Sequence, residues 1–204
     1  LTRDLWVPDK IKEFNPQANL GKYLKTILHL LPYEQACELI DRYVECLIVE
    51  SALYGRVHDR YGLLKEDTWL CSRKVVTTAG VNAIVDAFQN SIELENFKYH
   101  GVGTGSSAET IAQTGLVTEL TTQYSTNNTR PTGTTAEGSS ANIYQSVATI
   151  TVDATVSLAE HGLFNNATVG SGVLLDRSLI TPVVDLESAE SFTATYELLF
   201  AAGG

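Results

Sequence analysis

The run FKYHGVGTGSSAETIAQTGLVTEL, residues 97–120, constrains this chain more than any other stretch. Phe97, Tyr99 and Val102 alternate roughly with Lys98 and His100, a period of two that turns one side of the segment into a core. Gly101, Gly103 and Gly105 then punctuate it. A dinucleotide fingerprint needs its third glycine one residue further on, where Ser106 stands, and an amphipathic helix after it. SSAETIAQTG is too polar, and too soon broken by Gly115, to be that helix. The expected element is strand, glycine turn and strand, with the glycines at positive-φ turn or close-packing positions. A later counterpart, EHGLF at 160–164, repeats the pattern around Gly162.

The last third reads as strand after strand. Ile143, Val147, Ile150 and Val152 mark one, Val156 and Leu158 leading into EHGLF another, GVLLDRSLI a third and FTATYELLF a last, with GSG, NN, AT and ESAES between the runs. Four to seven strands at such spacing predict a β-sandwich of the jelly-roll kind. Ahead of them, TTQYSTNNTRPTGTTAEGSS at 121–140 carries almost no apolar residue. It is expected to be a long exposed loop or an extended hairpin. Tyr124, Arg130 and Tyr144 are the candidates for an exposed contact face there.

The first part follows another grammar. LTRDLWVPDKIKEFN, residues 1–15, is expected to be an extended arm whose Trp6, Val7, Ile11 and Phe14 dock on a neighbouring subunit or fold back on their own chain. Leu20, Leu24, Ile27, Leu28 and Leu31 recur at three and four, one face of a helix over 19–31. Pro32 opens a second helix, expected to reach about Arg60, which carries Ala36, Leu39, Ile40, Tyr43, Val44, Leu47 and Ile48 on one stripe. A third, over 78–90, is capped by Thr77 or Thr78 and presents Val81, Ile84, Val85 and Phe88 on one face. The predicted fold class is therefore α+β: an extended N-terminal arm (1–15), a helical hairpin region (16–71) and a mainly antiparallel, jelly-roll-like β-sandwich (72–204) with a lead-in helix.

Charge and chemistry narrow the function. The 204 residues carry a net charge of −10 and are 44% hydrophobic, enough to bury a proper core. Residues 72–204 hold five Lys/Arg against thirteen Asp/Glu. Such an acidic surface argues against a nucleic-acid groove or an anionic membrane face. No apolar run approaches the roughly 18 residues of a membrane span. The sequence contains no Met, so the encoded start is expected to lie upstream of Leu1. Cys37, Cys46 and Cys71 lack metal-site spacing, and His29 and His58 are lone imidazoles. Glu160 and His161, adjacent on a strand, point to opposite faces and cannot act as an acid–base pair with each other. A pairing of Glu160 with Arg177 or Arg130 is the structural reading of that segment. No GxSxG, HExxH or spaced carboxylate pair supplies a reaction, so no catalytic, cofactor or metal residue is assigned.

FKYHGVGTGSSAE, GLVTEL, RPTGT, Tyr144, EHGLF, LLDRS and the closing TYELLF together resemble a β-domain of tailed-bacteriophage structural proteins, where GTGTTAxxxxDTALxTEL is followed by TEHGLF or TEVGLF and a final apolar strand. The likeness covers about residues 73–204, including the lead-in RKVVTTAGVNAIVDAF. It implies a non-catalytic virion protein made in the host cytoplasm. The expected form is a capsid decoration (cement) protein, trimeric on the major capsid protein. A tail or head fibre contacting host-surface glycan is the alternative.

Overall fold

The computed structural model describes residues 48–72 and 76–201, all within one unit, Leu47–Ala201. The predicted arm with Trp6, Val7, Ile11 and Phe14, and the helix over 19–31, lie outside the described residues. Among the described residues eight strands form two antiparallel sheets. They are β1 (Ile48–His58), β2 (Leu64–Ser72), β3 (Tyr99–Gly103), β4 (Thr134–Glu137), β5 (Ile143–Thr151), β6 (Val156–Phe164), β7 (Leu174–Leu186) and β8 (Ser191–Ala201). The larger sheet runs β2-β1-β8-β5-β4 and the smaller β3-β6-β7. One helix, α1 (Thr78–Phe88), and a 3₁₀ turn at Leu94–Asn96 join β2 to β3 among the described residues.

The helix expected to reach Arg60 is corrected at its C-terminal end: residues 48–58 are β1, paired over its whole length with β8 from Ile48↔Ala201 to His58↔Ser191. The alternation that makes it a strand is concealed in the sequence, because two of its buried positions are not large apolar residues. Ser51 is buried in a hydrogen bond to Asp176, and Gly55 faces the Phe192 ring. A Cβ at Gly55 would stand 2.5 Å from that ring and 2.8 Å from the Cys71 sulfur. With only Leu53 and Val57 as large buried markers, the period of two is lost to the eye.

β8 shows the pattern plainly. Phe192, Ala194, Tyr196 and Leu198 are buried and the residues between them half-buried. Facing residues from both sheets close two apolar clusters. One gathers around Leu53, Val102, Ile150, Leu158, Leu186 and Phe192, the other around Phe97, Leu163, Leu175 and Leu198 with Ala83 of the helix. Full burial of each large side chain contributes about 1.5–3 kcal/mol before conformational entropy is charged.

The helix forms where expected, with Thr77 as N-cap accepting from the Gly80 amide at 2.9 Å. Of the face the spacing suggested, only Ile84 packs against the core. Gly80 and Ala83 are buried against β7, the Gly80 position touching the Leu175 backbone, while Val81, Val85 and Phe88 face outward. The small residues win because only they let the helix approach the strand this closely.

Candidate functional site

The glycine-rich segment is an internal clamp. Gly101 and Gly162 lie opposite each other in the β3–β6 register, and both face the outer side of the small sheet. Without side chains there, Leu116 and the Phe164 ring lie flat on the sheet: a Cβ at Gly101 would stand 2.8 Å from the ring, and one at Gly162 2.9 Å from Leu116. Gly103 is packed against the Thr118 carbonyl, and Gly105 against the Glu160 carboxylate. None of the four adopts positive φ, which occurs instead at Gly62, Gly170 and Gly172. The expected role is thus corrected in part: close approach, not turn geometry, requires these glycines.

Glu160 is fully buried at the centre of this layer. Its carboxylate accepts from Arg177 Nε at 2.7 Å, from the amides of Val117 at 3.0 Å and Thr118 at 2.7 Å, and from the Gly105 amide at 3.1 Å. One carboxylate therefore fixes both ends of the 104–118 segment to β6. Arg177 in turn donates from Nη1 to the Ser107 carbonyl at 2.9 Å. A buried charge is tolerated only when paired and hydrogen-bonded, and this one is. Of the two partners the sequence offers Glu160, the structure selects Arg177.

Arg130 builds a second pair. Its Nε and Nη2 meet the Glu119 carboxylate at 2.5 and 2.9 Å, and its Nη1 donates to the Asn166 and Ser171 carbonyls, both at 2.8 Å. Its guanidinium carbon lies 3.5 Å from the Phe164 ring centroid, a cation–π contact. Arg130 and Tyr124 are each only 1% exposed, so neither belongs to an exposed contact face; that expectation is corrected. The polar loop lacks a core of its own and is ordered by these anchors. The Tyr124 hydroxyl accepts from the Val102 amide at 2.8 Å, and the Pro131 carbonyl takes the His100 amide. Tyr144 is half-buried, its hydroxyl donating to the Phe97 carbonyl. Removing the hydroxyl with Tyr124→Phe leaves the buried Val102 amide without that acceptor and is expected to cost about 1–3 kcal/mol in urea unfolding, with the fold kept.

On the inner side of the small sheet runs a polar seam that the sequence does not announce. His100 of β3 contacts His161 of β6, Nδ1 to Nε2 at 2.9 Å, and Ser146 of β5 through Nε2 at 2.8 Å. Asp176 of β7 accepts from Ser51 of β1 at 2.6 Å and from Ser178 at 2.8 Å. The Ser146–His100 and Ser51–Asp176 bonds each join one sheet to the other, and the Tyr196 ring stacks on His161 with centroids 6.3 Å apart and planes inclined by 25°. Burial pushes Asp176 up to about 7 against its two serine hydrogen bonds, and pushes His161 down to about 3. His100 is lowered by burial and then by its neighbour His161.

Ser146, His100 and His161 follow the order of a nucleophile, its base and an orienting group. All three are fully buried, however, and the hydroxyl and the His100 ring are roofed by Gly133. Nothing outside the protein reaches them in this conformation. Among the described residues no three His, Cys, Asp or Glu converge as metal ligands, and no helix is long and apolar enough to cross a membrane. Cys71 is buried, its thiol pushed up to about 12 by desolvation, a packing cysteine. The seam escaped the sequence reading because its members come from five separate strands.

Comparison with family models, with curated proteins and with solved structures finds no match to this chain.

Proposed function

We propose that the chain is a non-catalytic structural protein of a tailed-bacteriophage virion, a decoration (cement) protein that binds the assembled head. One observation carries the reading. The segments that resemble the phage β-domain, GVGTG, TEL, RPTGT, EHGLF and DRS, meet in a single buried clamp built on Glu160–Arg177 and Glu119–Arg130. That these segments, distant in the chain, pack against one another supports reading them as the motifs of one folded unit. The eight antiparallel strands support a jelly-roll-like version of that unit.

In this reading the sandwich trimerises and projects, and the N-terminal arm holds the major capsid protein or a sister copy. Binding only to the assembled shell, across several subunits, stabilises it by mass action. An acidic outer surface keeps particles soluble and disfavours nucleic acid and membrane as partners. Two of the five cations of the sandwich sequence, Arg130 and Arg177, are consumed inside with their carboxylate partners Glu119 and Glu160, so the outside keeps the acidic balance of the composition. The fibre or receptor-binding alternative loses its proposed aromatic face with the burial of Tyr124.

Rebinding of purified protein to heads stripped of it, set beside binding to a glycan array, separates the two. Saturable binding to heads with a silent array supports decoration; the reverse supports a receptor-binding role. Deleting residues 1–15 is expected to reduce particle occupancy at least tenfold while the sandwich still folds, by quantitative gel analysis of purified particles. Unchanged occupancy removes the docking assignment of Trp6, Val7, Ile11 and Phe14.

A further inference from the structure

The His100–His161 pair is built so that proton uptake is strongly disfavoured while the sheets stay together. Both rings are fully buried, and a single contact, Nδ1 of His100 to Nε2 of His161 at 2.9 Å, occupies one nitrogen of each. Such a contact needs a lone pair on one side and an N–H on the other. The other nitrogen of His100 is taken by the Ser146 hydroxyl at 2.8 Å, across the sheet interface. The other nitrogen of His161, Nδ1, has no hydrogen-bonding partner in the protein. A proton added at the shared contact sets two N–H groups against each other, and one added at His161 Nδ1 makes a buried imidazolium with nothing to receive it; one added at His100 Nε2 finds only the neutral Ser146 hydroxyl as acceptor and leaves a buried charge without a counter-ion.

The groups facing the pair do not relieve this. From β8 comes Tyr196, whose hydroxyl lies near Ser51 without a regular hydrogen bond and whose own ionisation is pushed well up by burial. From β5 comes Tyr144, pushed up to about 12, its hydroxyl committed to the Phe97 carbonyl. From β7 comes Asp176, held by Ser51 and Ser178. Glu160 and Arg177 are neighbours in sequence to His161 and Asp176 but face the outer side of the sheet, committed to each other. No carboxylate hydrogen-bonds to either imidazole.

We propose that the Ser146–His100–His161 chain is an acid-sensitive latch between the two sheets, closed while both imidazoles are neutral and opened by proton uptake on acidification.

The direction follows from linkage. A histidine held below its ordinary value near 6.5 contributes stability that is lost as pH falls through that unfolded value. Two such histidines raise the unfolding equilibrium constant by up to about 100-fold per pH unit below pH 6. Asp176 acts in the opposite sense. Raised to about 7 in the fold, it binds a proton there that the unfolded chain takes up only near pH 4, and returns about tenfold per unit between them. The net expectation is a rise of about tenfold per pH unit between roughly pH 6 and pH 4.

Urea unfolding of the full chain from pH 7.5 to pH 4 tests this against the double variant His100→Phe/His161→Phe. The wild type is expected to lose stability at the stated slope, whereas the variant, which keeps Asp176, holds or gains stability. Parallel pH profiles for the two overturn the latch. Because the variant could fail to fold, the imidazole NMR signals of the wild type provide a second reading, assigned after replacing His29 and His58. His100 and His161 are expected to keep neutral-form shifts from pH 7.5 to pH 5 while the fold persists. Reversible titration of either near pH 6.5 in folded protein overturns the proposal.

Discussion

Replacing Glu160 by alanine is expected to lower the free energy of unfolding by about 3–5 kcal/mol, the cost of leaving a buried charge without its partner. The variant strands the Arg177 guanidinium, whose Nη2 already lacks a hydrogen-bonding partner, and removes the acceptor from the Gly105, Val117 and Thr118 amides. Urea unfolding measures the loss, and proteolysis of the 104–118 segment should quicken before global unfolding, since its two ends share this one anchor. The double variant Glu160→Met/Arg177→Leu should recover part of the stability, because it leaves no charge in the interior. A cost below about 1 kcal/mol for Glu160→Ala, the level of an exposed pair, would mean that the loop is held by something else.

Gly103→Val is the second large effect. A Cβ at this position runs into the Thr118 carbonyl and stands 2.6 Å from Glu160 Oε1, so the new side chain meets backbone and the clamp's central carboxylate at once. Overpacking alone costs about 1–3 kcal/mol. Here it also displaces the Thr104-to-Thr118 backbone hydrogen bond and the Thr118-to-Glu160 bond, so a total of about 3 kcal/mol or more is expected. Gly103→Ala should show most of the effect, since the first carbon makes the collision. Gly115→Ala, where a Cβ meets nothing within 4 Å, is the control and should be nearly neutral. Equal thermal midpoints for the Gly103 and Gly115 variants would contradict the close-approach role.

How far the sequence leads depends on who does the packing. β8 is legible because large apolar residues such as Phe192 and Leu198 occupy its inward positions; β5 and β7 are legible from their β-branched content although Ser146, Ala148, Asp176 and Ser178 hold inward positions. β1 is not, because Ser51 and Gly55 stand at buried positions and a helical spacing of apolar residues runs into it from upstream. The helix is legible by its cap at Thr77, yet its packing face is not: periodicity reports where apolar residues lie, and close approach to Leu175 requires small ones. The Glu160–Arg177 pair could be named in advance as one of two pairings, since long charged side chains on neighbouring strands of a sandwich have few other uses. The burial of Arg130 and Tyr124 could not, because a loop rich in Thr, Asn and Ser reads as solvated until its anchors are seen. The seam of Ser51, His100, Ser146, His161 and Asp176 is the furthest from sequence, each member sitting in a strand whose neighbours give no hint of what faces it.

Electron microscopy of intact phage particles carrying a labelled copy of this chain tests the proposed role most directly. Label arrayed over the head surface, in copy number proportional to the capsid lattice, is the predicted result. Label confined to the tail, or absent from purified particles altogether, contradicts a head-decoration protein.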